Sequence, residues 1–479
     1  MLFRSRALPI VLLLTVSLYI IVTLVVYQIV LKSNPNERMK TVEDSWHFNH
    51  IEPNDQRRRK QRARRPIMDD ERNRFDRKMG DDERERSMNL LEREDAKRLQ
   101  GDPSFEHYKR TRDKYDKLFP SPNENLPRLL NLVQSLRKNT YKTFENDIPY
   151  DIHNCPDTPP DNYPHEWKLY DDIITHWNPD IPTPKPDTIH QSLCIFDHQT
   201  EKEKAEAYRE AEAPFILRND PNILSIAERW NHPDYLSDLL GSTQTYKSEF
   251  STSNHFMFWR RGRQEPPPGW KNPTDTEYEI TFTEWLHKAK QAKGVLQTNQ
   301  DHVYFRLNGC KDSYRIEKCL HKMGAGGYYI SQEIPFFSPK QSFYIVEPDD
   351  FRGINCRFGM NGIIAENHFD GSRNMIILLG GERRYILAHP NQCHNMELYP
   401  RGHPSGRHSS VDWSNPDFGR HPKFRNAMGN EVVLQAGDLL YLPTFWFHYI
   451  ISLDEVNYQC NARSGITSEN SDTIHACGF

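Results

Sequence analysis

Residues Glu366–Leu378 read ENHFDGSRNMIIL. His368 and Asp370 stand two apart, just before an apolar run that begins at Met375. In an extended strand residues i and i+2 share a face, so the imidazole and the carboxylate project together while Phe369 faces the other way. That is the geometry of two adjacent metal ligands. Alone, the pair is a weak signal in a chain with 21 histidines. A second His-x-Asp, His232 and Asp234, has Pro233 between its members and lies in RWNHPDYL, a turn or helix start.

A third ligand strengthens the reading. Downstream lies GDLLYLPTFWFH, Gly437–His448. Gly437-Asp438 reads as a turn, Leu439–Leu442 as a strand broken by Pro443, and an aromatic trio leads to His448. A histidine in so apolar a run is costly to bury without a partner. Two histidines and one carboxylate form the facial triad of non-haem Fe(II) oxygenases, which leaves coordination positions open. The surrounding segments are short runs rich in Val, Ile and Tyr, punctuated by Gly and Pro: GGYYISQEI, NGIIAENHFD, NMIILLGGERRYILAHP, NEVVLQAGDLLYLPTFWFHYIISL. That texture predicts a β-sandwich or barrel.

His368-x-Asp370 and the distant His448 resemble the JmjC/cupin-type dioxygenases that use Fe(II) and 2-oxoglutarate. HSSVDWSNPDFGRHPKFRN, His408–Asn426, resembles the segment between the two halves of the site in the factor-inhibiting-HIF asparaginyl hydroxylase branch. The likeness covers about residues 211–465 and is strongest from Gly327 onward. It implies a mainly β domain with flanking helices, built on an eight-stranded double-stranded β-helix, or jelly roll. It implies Fe(II) held by His368, Asp370 and His448, with 2-oxoglutarate and O2 as co-reactants and protein or peptide side chains as the substrate class. No further catalytic residue is implied. Arg383, in GGERRYIL, stands where the family has a lysine for the far carboxylate of 2-oxoglutarate; a guanidinium can pair with that group bidentately. The other reading of Arg383 is a surface residue beside Arg384; strand alternation turns the two opposite ways, so only one can point inward. Tyr329 matches the family's tyrosine at the cosubstrate, and Asn374 and Asn461 match polar residues near the metal. The family's threonine three before the first histidine is Ala365 here. The branch's C-terminal dimerisation helices have no counterpart before Phe479, and the oligomeric state is left open.

The chain has 479 residues, 27% of them charged, yet the net charge is only -4, so nothing global points to a nucleic-acid partner. The distribution is more telling. Residues 7–31, ALPIVLLLTVSLYIIVTLVVYQIVL, carry no charge, and at about 1.5 Å per residue they reach across a hydrocarbon core of about 30 Å. They predict a signal anchor in the bilayer, not a cleaved signal peptide. Residues 1–6 are expected to form a short cytoplasmic tail. Residues 32–120, with their runs of Arg, Asp and Glu, form a charged stem, disordered or helical. Residues 121–210 supply accessory helices and a Pro-rich wrap, with a short amphipathic helix at Leu126–Arg137, and residues 211–479 form the oxygenase domain, with a buried strand in APFILRN and a helix in TFTEWLHKAKQA. The layout predicts a type II membrane protein with its domain in the ER or Golgi lumen; Arg4 and Arg6 before the span nearly balance Lys32, Arg38 and Lys40 after it, so a cytosolic orientation stays open. All eight cysteines follow residue 150, and Cys310 and Cys319 are spaced to close a short disulfide loop in such a compartment.

Two other classes share parts of this layout. Golgi glycosyltransferases have the span and stem, but their Asp-x-Asp motif is absent from the chain. A catalytically silent jelly roll would tolerate Ala365 and Arg383.

Overall fold

The apolar runs after residue 350 become strands because each can bury both faces. The structure, a computed structural model, describes residues 86, 90, 93–119, 125–144, 148–241, 243–260, 268–292, 301–310, 316–338 and 343–479. Among these no helix is long and apolar enough to cross a membrane, and the expected span at 7–31 lies outside them, as does most of the charged stem.

Eight strands carry the architecture: β1 (Phe351–Met360), β2 (Ile364–Phe369), β3 (Arg373–Gly380), β4 (Glu382–Ala388), β5 (Met428–Gln435), β6 (Leu439–Leu442), β7 (Phe447–Ser452) and β8 (Val456–Ser464). They divide between two sheets in the orders β6-β3-β8-β1 and β5-β4-β7-β2, which is the jelly roll the sequence predicts. The first sheet is extended to nine strands, by Phe215–Arg218 and Ile195–Asp197 beyond β6, and by His302–Asn308, Thr245–Ser251 and Asp275–Thr281 beyond β1. The second gains Lys168–Leu169 beside β5 and His255–Phe256 beside β2.

Alternation along single strands distributes their residues over three of the core clusters. Ile376 and Leu378 of β3 meet Tyr385 and Leu387 of β4 and Ile450 of β7 in one cluster between the sheets. Met375, Ile377 and Leu379 face outward onto helix Pro221–Trp230 and its neighbours. Ile386, Tyr449 and Ile451 face the other way, under Trp413 and Phe424 of the long β4–β5 connection. Each fully buried aliphatic side chain contributes about 1.5–3 kcal/mol, so both faces of each strand help to hold the sandwich.

The flanking elements follow local chemistry. Helix Leu126–Leu136 buries Leu129 and Val133, four apart, against Leu224. Helix Phe282–Gln291 starts at a capping box made by Thr281 and Glu284. Helix Pro103–Tyr115 falls in the segment that its charge assigns to the stem, yet Tyr115 is buried and Arg112 pairs with the fully buried Glu333 at 2.8 Å. Core packing therefore begins before residue 120: a few aromatic anchors on one helical face offset the surrounding charge.

GGYYISQEI reads as a strand but forms the second part of helix Ile316–Glu333, beyond a non-helical Gly324. Small residues permit this. A Cβ at Gly326 would collide with the ring of Tyr246, so the helix packs at a distance only glycine allows. All eight cysteines are paired: Cys155–Cys194, Cys310–Cys319, Cys356–Cys460 and Cys393–Cys477. The Cys310–Cys319 loop closes as expected, with its Cα atoms 5.3 Å apart.

Arg384 is not a surface residue. It does face away from Arg383, but the long β4–β5 connection and helix Tyr170–His176 cover that side, leaving it 1% exposed. Its Nε lies 2.6 Å from Glu431 Oε2, and its Nη1 donates to the Trp177 carbonyl. Removing one member of a buried pair strands the other. Arg384→Ala is therefore expected to lower unfolding free energy by about 3–5 kcal/mol, while an Arg384→Met, Glu431→Leu double variant recovers most of it. Urea denaturation of the three proteins checks this; a single-variant loss under about 1 kcal/mol would contradict a buried pair.

Candidate metal centre

His368 and His448 are brought together by register. In the β2–β7 pair His368 lies opposite His448 and Phe369 opposite Phe447, with a shift in register between Ala365 and His368. Such a bulge re-aims side chains beside functional sites. It leaves the two imidazole centroids 4.2 Å apart. Asp370 follows the last residue of β2, and its Oδ2 is 3.9 Å from His448 Nε2. One ligand atom from each of His368, Asp370 and His448 lies within 4.8 Å of the others.

The tautomers are set by the backbone. His368 Nδ1 is 2.8 Å from the Glu366 carbonyl oxygen, and His448 Nδ1 is 3.0 Å from that of Trp446. A carbonyl can only accept, so each Nδ1 carries the proton and each Nε2 keeps its lone pair. Burial, with the neighbouring His448 and His408 rings, holds His368 well below the usual imidazole range, and burial lowers His448 as well. Both rings are thus neutral and able to coordinate.

Asp370 needs the opposite treatment. Burial works against its charge, but the cations around it, Arg463 foremost, hold its carboxyl well below the usual range. Arg463 Nη2 is 2.7 Å from Oδ2, and Arg407 Nη1 is 3.7 Å from Oδ1. Asn374 Nδ2 donates to Oδ2 at 3.2 Å, and Asn461 Nδ2 donates to Asn374 Oδ1 at 2.6 Å. Phe445 adopts a positive φ of 71° while its N–H donates to the Asp370 carbonyl at 2.9 Å. A non-glycine residue there costs about 1–3 kcal/mol, which the surrounding packing has to offset. Behind His368, the Glu366 carboxylate is 2.5 Å from His255 Nδ1, whose Nε2 is 3.0 Å from Asp180. Burial opposes the charge on His255, but the Asp180 and Glu366 carboxylates prevail and push its pKa up to about 10.

Arg383 lies between the sheets and is fully buried. Its Nη1 donates to Tyr304 Oη at 3.0 Å and its Nη2 to the Arg357 carbonyl at 2.9 Å. Among the described residues its Nε has no partner. Gly359 makes room for the larger head group: a Cβ there would lie 2.9 Å from Arg383 Nη2 and collide with Ser452. A buried guanidinium with an open N–H is suited to an anion.

Of the seven residues singled out in the sequence, the structure brings His368, Asp370, His448, Asn374 and Asn461 together, and places Arg383 in the space between the sheets. Tyr329 is elsewhere. It sits on helix Ile316–Glu333 and packs against Tyr108 and His107, with ring centroids 5.8 and 5.7 Å away. The tyrosine that touches Arg383 is Tyr304, on strand His302–Asn308. The sequence signal was available: Tyr304 and Arg306 stand two apart in HVYFRLN and so share a face. Arg463 was overlooked on the same pattern, two residues beyond Asn461.

Comparison with known proteins agrees with this architecture. The chain is 27% identical over 178 residues to tRNA wybutosine-synthesizing protein 5 of Danio rerio, covering 36% of this chain and 49% of that protein. It is 33% identical over 102 residues to lysine-specific demethylase 8 of Xenopus tropicalis, covering 21% and 23%. It is 24% identical over 246 residues to a lysine-specific demethylase of Arabidopsis thaliana, covering 50% and 47%. The chain thus spans about half or less of the length of these curated relatives. The model of the Cupin-like domain matches residues 200–462, a stretch that holds all eight jelly-roll strands except the last residues of β8. On that match the protein belongs to the Cupin-like domain family.

Proposed function

We propose that the chain is an Fe(II)- and 2-oxoglutarate-dependent oxygenase that hydroxylates protein side chains from the lumenal side of a membrane. The observation that carries the reading is the pair of imidazoles locked by carbonyls, with one ligand atom of each within 4.8 Å of an Asp370 oxygen. Two nitrogens and one carboxylate suit Fe(II) and leave positions for other ligands. When bound, the iron supplies coordination for a keto acid and activation of O2. The chain's own residues do the rest. Glu366 and Trp446 hold the imidazole tautomers through their carbonyls. Asn374, itself held by Asn461, orients Asp370, and Arg463 keeps it ionised. Arg383, with Tyr304, receives the far carboxylate of 2-oxoglutarate through its open N–H. The apolar cluster of Ile376, Leu378, Leu387 and Ile450 keeps water from the space between the sheets.

Hydroxylation follows from the resemblance to the asparaginyl hydroxylase branch, whereas relatives include proteins named as lysine-specific demethylases and as a tRNA wybutosine-synthesizing protein. Four disulfides suit an oxidising compartment, which favours the lumen and disfavours chromatin or tRNA as substrate. The silent jelly roll draws on Ala365 and on the replacement of lysine by Arg383. Succinate formation from 2-oxoglutarate by the purified full chain, with a peptide library, tests the enzyme; no turnover with iron bound favours the silent alternative.

His368→Ala and His448→Ala are each expected to weaken Mn(II) binding, read by electron paramagnetic resonance, by more than about 100-fold and to stop succinate formation. Wild-type affinity in both would dismiss the triad. Arg383→Ala is expected to raise the Kd for 2-oxoglutarate about 30-fold, equivalent to about 2 kcal/mol, with metal affinity unchanged; Arg383→Lys should keep part of the affinity. An unaffected Kd would place the far carboxylate elsewhere. For topology, a C-terminal tag is expected to survive protease in intact microsomes and to be digested once detergent is added. Digestion without detergent would reverse the orientation.

A further inference from the structure

The four disulfides differ in access. Cys155, Cys194, Cys310, Cys319, Cys356 and Cys460 are all at most 4% exposed. Cys393 is equally buried, but its partner Cys477 is partly exposed. Cys393 and Cys477 also line an open cleft of about 440 Å³ with His394, Glu397, Ser410 and Lys423. A ring nitrogen of the exposed His394 lies within 4.8 Å of both sulfurs.

The same disulfide anchors a brace for the metal strand. Cys477 follows helix Ser471–Ala476, whose Ile474 is buried in the cluster behind β2 and β7. Two residues on, the Phe479 ring stands 5.5 Å from that of Phe369, edge to face. Phe369 lies between His368 and Asp370 and packs also on Phe445 and Phe447. Phe479 is therefore one wall of the aromatic group that fixes the outer face of the ligand strand.

We propose that Cys393–Cys477 is a thiol–disulfide exchange site for a dithiol, and that opening it loosens the brace on Phe369. A thiolate of the dithiol enters the cleft and attacks Sγ of Cys477, the more accessible side. A new S–S bond forms, the Cys393–Cys477 bond breaks, and its electron pair leaves on Cys393. His394 relays the proton that Cys393 takes up, imidazole being suited to such transfer near neutral pH. The second thiol of the dithiol then attacks the mixed disulfide and releases Cys477. The dithiol ends as a disulfide, and its two electrons and two protons end on Cys393 and Cys477.

The test uses the full chain under native conditions. It is titrated with dithiothreitol, quenched with iodoacetamide and mapped by mass spectrometry. Cys393 and Cys477 are expected to alkylate at least about tenfold faster than the other six cysteines. Another pair opening first, or all opening together, overturns the exchange site. His394→Ala is expected to slow the opening severalfold without changing the order; an unchanged rate overturns the relay. In the selectively reduced chain, backbone amides of Ile364–Phe369 are expected to exchange with deuterium faster than in the oxidised chain, and equal exchange overturns the brace. None of these readouts needs bound metal or turnover, so they stand or fall apart from the proposed oxygenase.

Discussion

One buried carboxylate organises the molecule. In the proposed metal centre Asp370 has to stay ionised, yet it is buried. A charge there costs several kcal/mol unless it is matched. Arg463 comes from β8, Arg407 from the long β4–β5 connection and Asn374 from β3, so three separate segments have to be in place before the carboxylate is tolerated. Its backbone is engaged too, through Phe445 just before β7. Satisfying this one group ties the first sheet to the second.

The sandwich makes that possible because its strands are buried on both sides. Outward-facing residues are covered by helices on one sheet and by the β4–β5 connection on the other, which leaves the inward-facing positions free to be specialised. At one part of the interior those positions are aliphatic; at another they are His368, His448, Arg383 and Tyr304. Gly359 shows how finely the space is shared, since any side chain there would displace the Arg383 head group. The Cys356–Cys460 bridge joins β1 to β8 at directly paired positions, so the strand that carries Asn461 and Arg463 is covalently held beside its neighbour.

Much of this was legible in the residues. His368 and Asp370 two apart, and a histidine in the apolar run that ends at His448, identified the three groups that converge. Alternation correctly sent Arg383 and Arg384 to opposite faces, and helical spacing located Leu126–Leu136 and Phe282–Gln291. Other readings failed for physical reasons. Tyr328-Tyr329-Ile330 has strand composition, but glycines let it pack as a helix against Tyr246. The burial of Arg384 could not be read from its strand, because alternation says which face a side chain takes, not whether another segment covers that face. The charged run before residue 120, read as disordered or helical, does hold a helix, but its charge gave no sign that a few aromatic residues on it reach the core.

The sequence by itself determined the chemistry on offer: ligand types, their spacing within one strand, the pairing capacity of eight cysteines and the alternation of core positions. These depend on neighbours along the chain, where geometry is set by the backbone. The tertiary structure alone decided which groups meet. The bulge that puts His368 opposite His448, the approach of Tyr304 to Arg383, the shielding of Asp370 by Arg463 and the contact of Phe479 with Phe369 all join residues far apart in sequence. Contacts of that kind arise from sheet register and packing, and no local pattern records them.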